Sequence, residues 1–313
     1  MEKIIDVCGL GTLAMDVLMK VDMLPKEDGF CLVRSNSKQP GGSGTNVIVQ
    51  LSRLTAKCGY IGAVGDDDLG KEVLKSLEAE KVSTADMIIK EGKTTLHTEI
   101  VIDDAGRKFI MLNMGDAFLE LSAEEINIQS IKRARVFYTD FLPKEAALMA
   151  LKAAKEADAK TVFNMQAGLE TMEGLKVTKN EILDALQYVD VFAPCREGLY
   201  GLTGTTNLEE CAGFLRHYCK GILLFTLGKE GSVAYDEQGK AYYASIYPVD
   251  AIDTTGAGDS YIGAFLYQYC LKNETIQESM EFAALCAGYT CTGIGARHTP
   301  TLEEAINMKA NIR

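Results

Sequence analysis

Residues Asp253–Phe265 read DTTGAGDSYIGAF. Three small residues, Gly256, Ala257 and Gly258, precede an acid, Asp259, and an apolar series at helical spacing follows at Ile262, Phe265, Leu266 and Tyr269. The pattern predicts a helix that starts on bare backbone. With no bulky side chain in front of them, its first N–H groups can face an anion, and the positive end of the helix dipole adds to the attraction. A carboxylate in that turn repels a phosphate, so Asp259 makes sense as a group that takes a proton from whatever attacks the phosphate. This is the layout of a phosphoryl-transfer site.

Outward from this helix, β-branched runs alternate with helical patterns. Strands are predicted at Ile4–Leu10, Tyr60–Val64, Arg135–Tyr138, Thr161–Asn164, Val189–Ala193 and Ile222–Leu227. Helices are predicted at Asn46–Thr55, Leu69–Glu80, Lys144–Ala157, Asn207–Tyr218, Gly256–Leu271 and Thr275–Thr292. Repeated β-then-α units argue for an α/β fold: a three-layer, doubly wound, mainly parallel sheet with helices on both faces. Ligands in such sheets bind at the carboxyl ends of strands. Two segments, about 15–36 and 93–114, break the alternation. The second contains a hairpin, Thr94–Asp103 and Arg107–Leu112, turning at Asp104-Ala105-Gly106. Together they are expected to form a small β-lid on a single domain spanning 1–313.

Composition narrows the partners. A net charge of −12 disfavours nucleic acid and anionic membrane, and obliges any anionic substrate to find a local positive site. Nine cysteines in irregular spacing, with no C-x-x-C, read as small buried hydrophobes in a reducing compartment. No stretch has the apolar length of a membrane span and no signal peptide is evident, so a cytoplasmic protein is expected. Three scattered histidines, His97, His217 and His298, make no metal site.

Two glycine motifs are lookalikes. Gly65–Glu72 has G-x4-G-K spacing, but Glu72 stands where a Mg²⁺-binding hydroxyl belongs and three aspartates fill the loop. Gly9-Leu10-Gly11-Thr12-Leu13-Ala14 fits the dinucleotide fingerprint after a strand, with Arg34 as an NADP-type partner, though Pro25 does not suit the long helix that should follow. The stronger signal is Pro40-Gly41-Gly42-Ser43-Gly44-Thr45-Asn46, where paired glycines allow close backbone approach and Asn46 offers both donors and an acceptor.

Taken together, these segments resemble the two signatures of the PfkB family of carbohydrate kinases, with the ribokinase-like fold. The N-terminal signature matches Gly41-Gly42, Asn46, Leu54 and Gly59–Gly70, and the C-terminal one matches Asp253–Asp259. Thr226-Leu227-Gly228-Lys229-Glu230-Gly231, Thr203-Gly204, Gly293–Ala296 and Thr299-Pro300 also fit. The resemblance implies an ATP-dependent sugar kinase: Asp259 as general base, the amides of Gly256, Ala257 and Gly258 as the anion hole, and Asp16, Gly41, Gly42 and Asn46 as the sugar site. It further implies nucleotide contacts at Thr226, Gly228, Lys229 and Gly231. Asp253 and Thr255, with Thr290, Gly293 and Gly295, would form a monovalent-cation site for K⁺. A homodimer through the lid is implied as well.

Two departures bear on this reading. Cys195 and Gly198 stand where the family carries an Asn-x-x-Glu pair that orders Mg²⁺, leaving Glu197, one position off, as the nearby acid. Asn164-Met165-Gln166-Ala167 replaces an Asp-x-Asn-x-Arg type segment, which bears on substrate identity. A free sugar is the expected acceptor, with a nucleoside as alternative. A phosphosugar is disfavoured, since the lid has no extra basic cluster beyond Arg34, Lys93, Arg107 and Lys108. Two further classes stay open: a weakened kinase-fold protein that binds sugar as a sensor, and an NAD(P)-dependent oxidoreductase using Gly9–Ala14.

Overall fold

Strands buried on both faces must be apolar along their whole length, and the central runs of this chain are. Val7, Cys8 and Leu10 in one strand, and Val136, Phe137 and Tyr138 in its neighbour, are almost wholly buried. The structure, a computed structural model, describes residues 2–105 and 107–310. Its strands are β1 (Ile5–Leu10), β2 (Ala14–Val21), β3 (Val33–Gly41), β4 (Cys58–Gly65), β5 (Ser83–Lys90), β6 (His97–Asp103), β7 (Lys108–Asn113), β8 (Ala134–Thr139), β9 (Lys160–Phe163), β10 (Val191–Phe192), β11 (Ile222–Thr226), β12 (Ser232–Tyr235) and β13 (Ala241–Ala244).

The main sheet has nine strands in the order β13-β12-β11-β10-β9-β8-β1-β4-β5. All neighbours are parallel except β11–β12 and β12–β13. The order reverses at β1, which has β4 on one side and β8 on the other. At such a reversal, adjacent crossovers leave in opposite directions and open a crevice at the strands' carboxyl ends. Helices Ser43–Arg53 and Lys144–Glu156 pack on the sheet, and helix Ala257–Leu266 lies between Ser43–Arg53 and Ile276–Thr290. No helix among the described residues is long and apolar enough to cross a membrane.

A second sheet, β3-β2-β6-β7, stands apart from the first. It is where the lid was expected, with β6 and β7 as the antiparallel hairpin. Gly106 of the predicted turn lies outside the described residues. The boundaries differ: β2 opens at Ala14 and β3 runs on to Gly41, pairing Ala14 with Gly41.

That early start overturns the dinucleotide reading of Gly9–Ala14. The segment leads from β1 into β2, not into a helix whose N-terminus could hold a pyrophosphate. Arg34 is instead paired with Asp104 at 2.8 Å. The Gly65–Glu72 segment is likewise structural. Asp67 caps the helix Asp68–Ala79 through Gly70 N–H at 2.7 Å, and accepts from Thr95 N–H at 2.8 Å, bracing the second sheet's root.

Other predicted bounds shift where packing intervenes. The helix expected over Gly256–Leu271 is α-helical to Leu266 and continues as a π-helical turn, Tyr267–Lys272. The edge strands β5 and β13, the short buried strand β12 and the helix Arg196–Thr203 were not anticipated, because short segments carry weak periodicity. Six of the nine cysteines are buried, as expected of small hydrophobes.

Candidate active site

Thr12, just past β1, and Asp140, just past β8, mark the crevice at the strand reversal. There a cavity of about 410 Å³ opens between the two sheets. Asp16, Gly41, Gly42 and Asn46 line it, as do Gly256 and Asp259 from far along the chain. The predicted sugar residues and the predicted base therefore meet in one place.

Asp259 is 6% exposed. Asn46 Nδ2 donates to its Oδ2 at 2.9 Å. Burial pushes its carboxyl up to about 7, against the hydrogen bonds of Asn46 and Ser43; the charge of Asp140 adds to the rise and that of Arg297 opposes it. A carboxylate so poised is protonated and deprotonated near neutrality, as a general base requires. The helix starts where it does because Gly256 has φ 78°, and a Cβ there would lie 2.3 Å from Ala296 O.

One of the three expected anion-hole amides is spoken for: Ala257 N–H donates to Thr254 O at 3.2 Å, closing the turn that enters the helix. The N–H groups of Gly256 and Gly258 have no backbone acceptor among the described residues, and nothing lies within 4 Å of a Cβ built at Gly258.

Asp140 was missed in the sequence. It is buried, its carboxyl is pushed up to about 6 by that burial, and it accepts from Thr12 N–H at 2.8 Å, Thr12 Oγ1 at 2.6 Å and Leu142 N–H at 3.2 Å. Its one sequence signal was an acid at the carboxyl end of a predicted strand. Asp16 is held by the Thr98 hydroxyl.

The cavity lining carries no Lys, Arg or His. Of the lid cations, Arg34, Lys93 and Arg107 are paired with Asp104, Glu120 and Asp103. His97 Nδ1 meets Thr95 O at 2.8 Å and does not line the cavity.

The description "pfkB family carbohydrate kinase" matches residues 5–303. The chain belongs to this family of carbohydrate kinases. This pfkB kinase is 30% identical to probable fructokinase-4 of Arabidopsis thaliana over 296 residues, covering 89% of its own length and 90% of the relative's. It is equally 30% identical to fructokinase-2 of Solanum lycopersicum over 309 residues, 93% of each chain. Among solved structures, a ribokinase from Thermotoga maritima superposes with a TM-score of 0.85 at 22% identity, covering 98% of this chain and 100% of that one. Arabidopsis thaliana ribokinase complexed with ribose and ATP gives 0.84 at 22%, covering 98% and 99%. These likenesses establish the ribokinase-like fold.

In this pfkB kinase the predicted nucleotide residues sit apart from the cavity. Thr226 ends β11 and bridges to Cys195, while Gly228–Glu230 form a single 3₁₀ turn closed by Gly231 at φ 86°. Arg196 reaches across to Leu227 O and pairs with Glu230 at 3.0 Å. Cys195 caps the helix Arg196–Thr203, accepting from Gly198 N–H at 3.4 Å, and Glu197 is exposed in its first turn.

Of the residues predicted to hold a monovalent cation, Asp253, Thr255 and Gly295 are tied together. Asp253 accepts from Thr255 N–H at 2.9 Å and from Gly295 N–H at 2.9 Å, so it braces two segments. The Thr290 hydroxyl donates to Cys286 O at 3.0 Å. Among the described residues no cluster of three or more His, Cys, Asp or Glu could cage a metal.

Proposed function

We propose that this pfkB kinase transfers the γ-phosphoryl group of ATP to a primary hydroxyl of a small free sugar, with Asp259 as general base. The observation that carries the reading is the Asn46–Asp259 hydrogen bond in a cavity that also presents Asp16. The carboxylates of Asp16 and Asp140 accept from sugar hydroxyls. Asn46, with one N–H and one lone pair to spare, positions the attacking oxygen. Gln166 lines the same cavity with a buried Nε2 that has no partner among the described residues, a donor suited to a sugar oxygen. Asp259 takes the proton as the oxygen attacks, and the Gly256 and Gly258 amides stabilise the charge on the moving phosphoryl group.

Thr226, Gly228, Lys229 and Gly231 receive the nucleotide. Mg²⁺ is usually held by phosphates and water with one or two carboxylates, and Glu197 is the acid that would serve. K⁺ would rest on backbone carbonyls of Thr290, Gly293 and Gly295 beside Asp253 and Thr255. The second sheet acts as a lid that excludes water, and its exposed apolar residues, Ile110 and Met111 among them, pair it with a second copy.

The relatives' names make fructose the first acceptor to try, and the solved ribokinase makes ribose the second. The test is ATP consumption over ketoses, pentoses, hexoses and nucleosides with Mg²⁺ and K⁺, wild type beside Asp259→Asn. Turnover that vanishes in the variant supports the proposal; turnover that survives it removes Asp259 as the base. The Cys195–Gly198 substitution favours a second reading, a sugar-binding protein with weakened catalysis, which binds sugar in calorimetry without consuming ATP.

A further inference from the structure

Arg297 is a half-buried guanidinium whose hydrogen bonds go to neutral oxygens. Its Nε donates to Asn46 Oδ1 at 3.1 Å, Nη1 to Ser76 Oγ at 3.2 Å and Nη2 to Thr45 Oγ1 at 3.0 Å. Burial lowers its pKa to about 10. A half-buried cation whose hydrogen bonds pass over the nearby carboxylates of Glu80 and Asp16 calls for an explanation. Bracing helix Ser43–Arg53 against Asp68–Ala79 accounts for the bonds to Thr45 and Ser76. It does not account for Asn46.

We propose that Arg297 is a positioning residue for Asp259, acting through the side-chain amide of Asn46. A primary amide can turn end for end and present either its oxygen or its nitrogen. Arg297 has only donors, so it claims Oδ1 and turns Nδ2 towards Asp259. An N–H donor on Oδ2 favours the ionised carboxylate, the form that accepts a proton, and polarisation along the Arg297–Asn46–Asp259 chain strengthens that bond. The inference rests on the reading of Asp259 as base given above. The groups that face Asp259 are Asn46 and Ser43 on helix Ser43–Arg53, Tyr138 on β8, Asp140 beyond it, and Arg297 itself. Facing Arg297 are Glu80, Arg53, Tyr60 and Asp16.

The test is a double-substitution cycle on kcat/KM with the best acceptor found. Arg297→Met should lower it roughly 10- to 100-fold, the worth of a hydrogen bond to a charged group. Its acid limb should move to higher pH. In an Asn46→Ala background most of that loss should disappear, because the link is already cut. A loss that adds in full to that of Asn46→Ala, or an acid limb that stays in place, overturns the proposal. Should Arg297→Met not fold, Arg297→Lys keeps the charge but cannot make the planar set of bonds. It should lower kcat and move the acid limb up by less than Arg297→Met does, and an unchanged kcat or an unmoved limb overturns the proposal. Asp259→Asn is run alongside: activity surviving there defeats the base assignment itself, whereas an inactive Asp259→Asn with an additive cycle defeats only the role of Arg297.

Discussion

The carboxylate of Asp16 occupies the space where a side chain at Gly41 would begin. A Cβ built on Gly41 lies 2.6 Å from Asp16 Oδ2. The neighbour is the end of a side chain, so Gly41→Ala should fold and displace the carboxylate. We expect the sugar KM to rise roughly tenfold, about one charge-assisted hydrogen bond, with kcat within about threefold. Steady-state kinetics checks this; an unchanged KM would mean Asp16 holds no hydroxyl.

Asp259 should trade stability for activity. Its folded pKa of about 7 lies above that of an unfolded Asp, so the folded state holds the proton more tightly. Stability from this group is therefore present at low pH and lost as pH rises from about 4 through about 7. Asp259→Asn should lose on the order of 10²–10⁴ in kcat. It should also melt above wild type at pH 8, with the gap closing towards pH 4. A variant less stable than wild type at pH 8 contradicts the assignment of that pKa.

Asp140 pushes in the opposite direction from Arg297, since its negative charge helps raise Asp259. Asp140→Asn should move the acid limb of kcat/KM to lower pH. A limb that moves upward, or not at all, shows that the charge of Asp140 does not raise Asp259.

Gly256→Ala meets both the left-handed φ of 78° and the Ala296 carbonyl at 2.3 Å. Backbone strain of this kind costs roughly 1–3 kcal/mol. Urea unfolding should register that loss, and turnover should fall with it because the first helical turn is displaced. Wild-type stability in this variant would place the loop elsewhere.

The exposed face of the second sheet makes a prediction about assembly. Ile110 and Met111 are 53% and 46% exposed and, as successive residues of β7, point to opposite faces. A homodimer is expected in sedimentation, and Asp at one of the two positions should make it monomeric. Wild type sedimenting as a monomer, or both variants remaining dimeric, argues against pairing through this sheet.

What the sequence determined by itself was local. Small residues before Asp259, paired glycines before Asn46 and alternating β and α runs specify conformations within a few residues of themselves, so the fold class and the best-marked site residues were legible. Tertiary structure alone decided who meets whom. Asn46 and Asp259 are 213 residues apart and Arg297 lies 251 from Asn46, yet the strand reversal at β1 brings them within hydrogen-bonding reach. Asp140, Gln166 and Arg297 belong to no strong local pattern, because their chemistry comes from burial and from neighbours supplied by other strands and loops. The same holds for Gly9–Ala14, whose spacing suggested a dinucleotide site until the chain was seen to enter a strand where that site needs a helix.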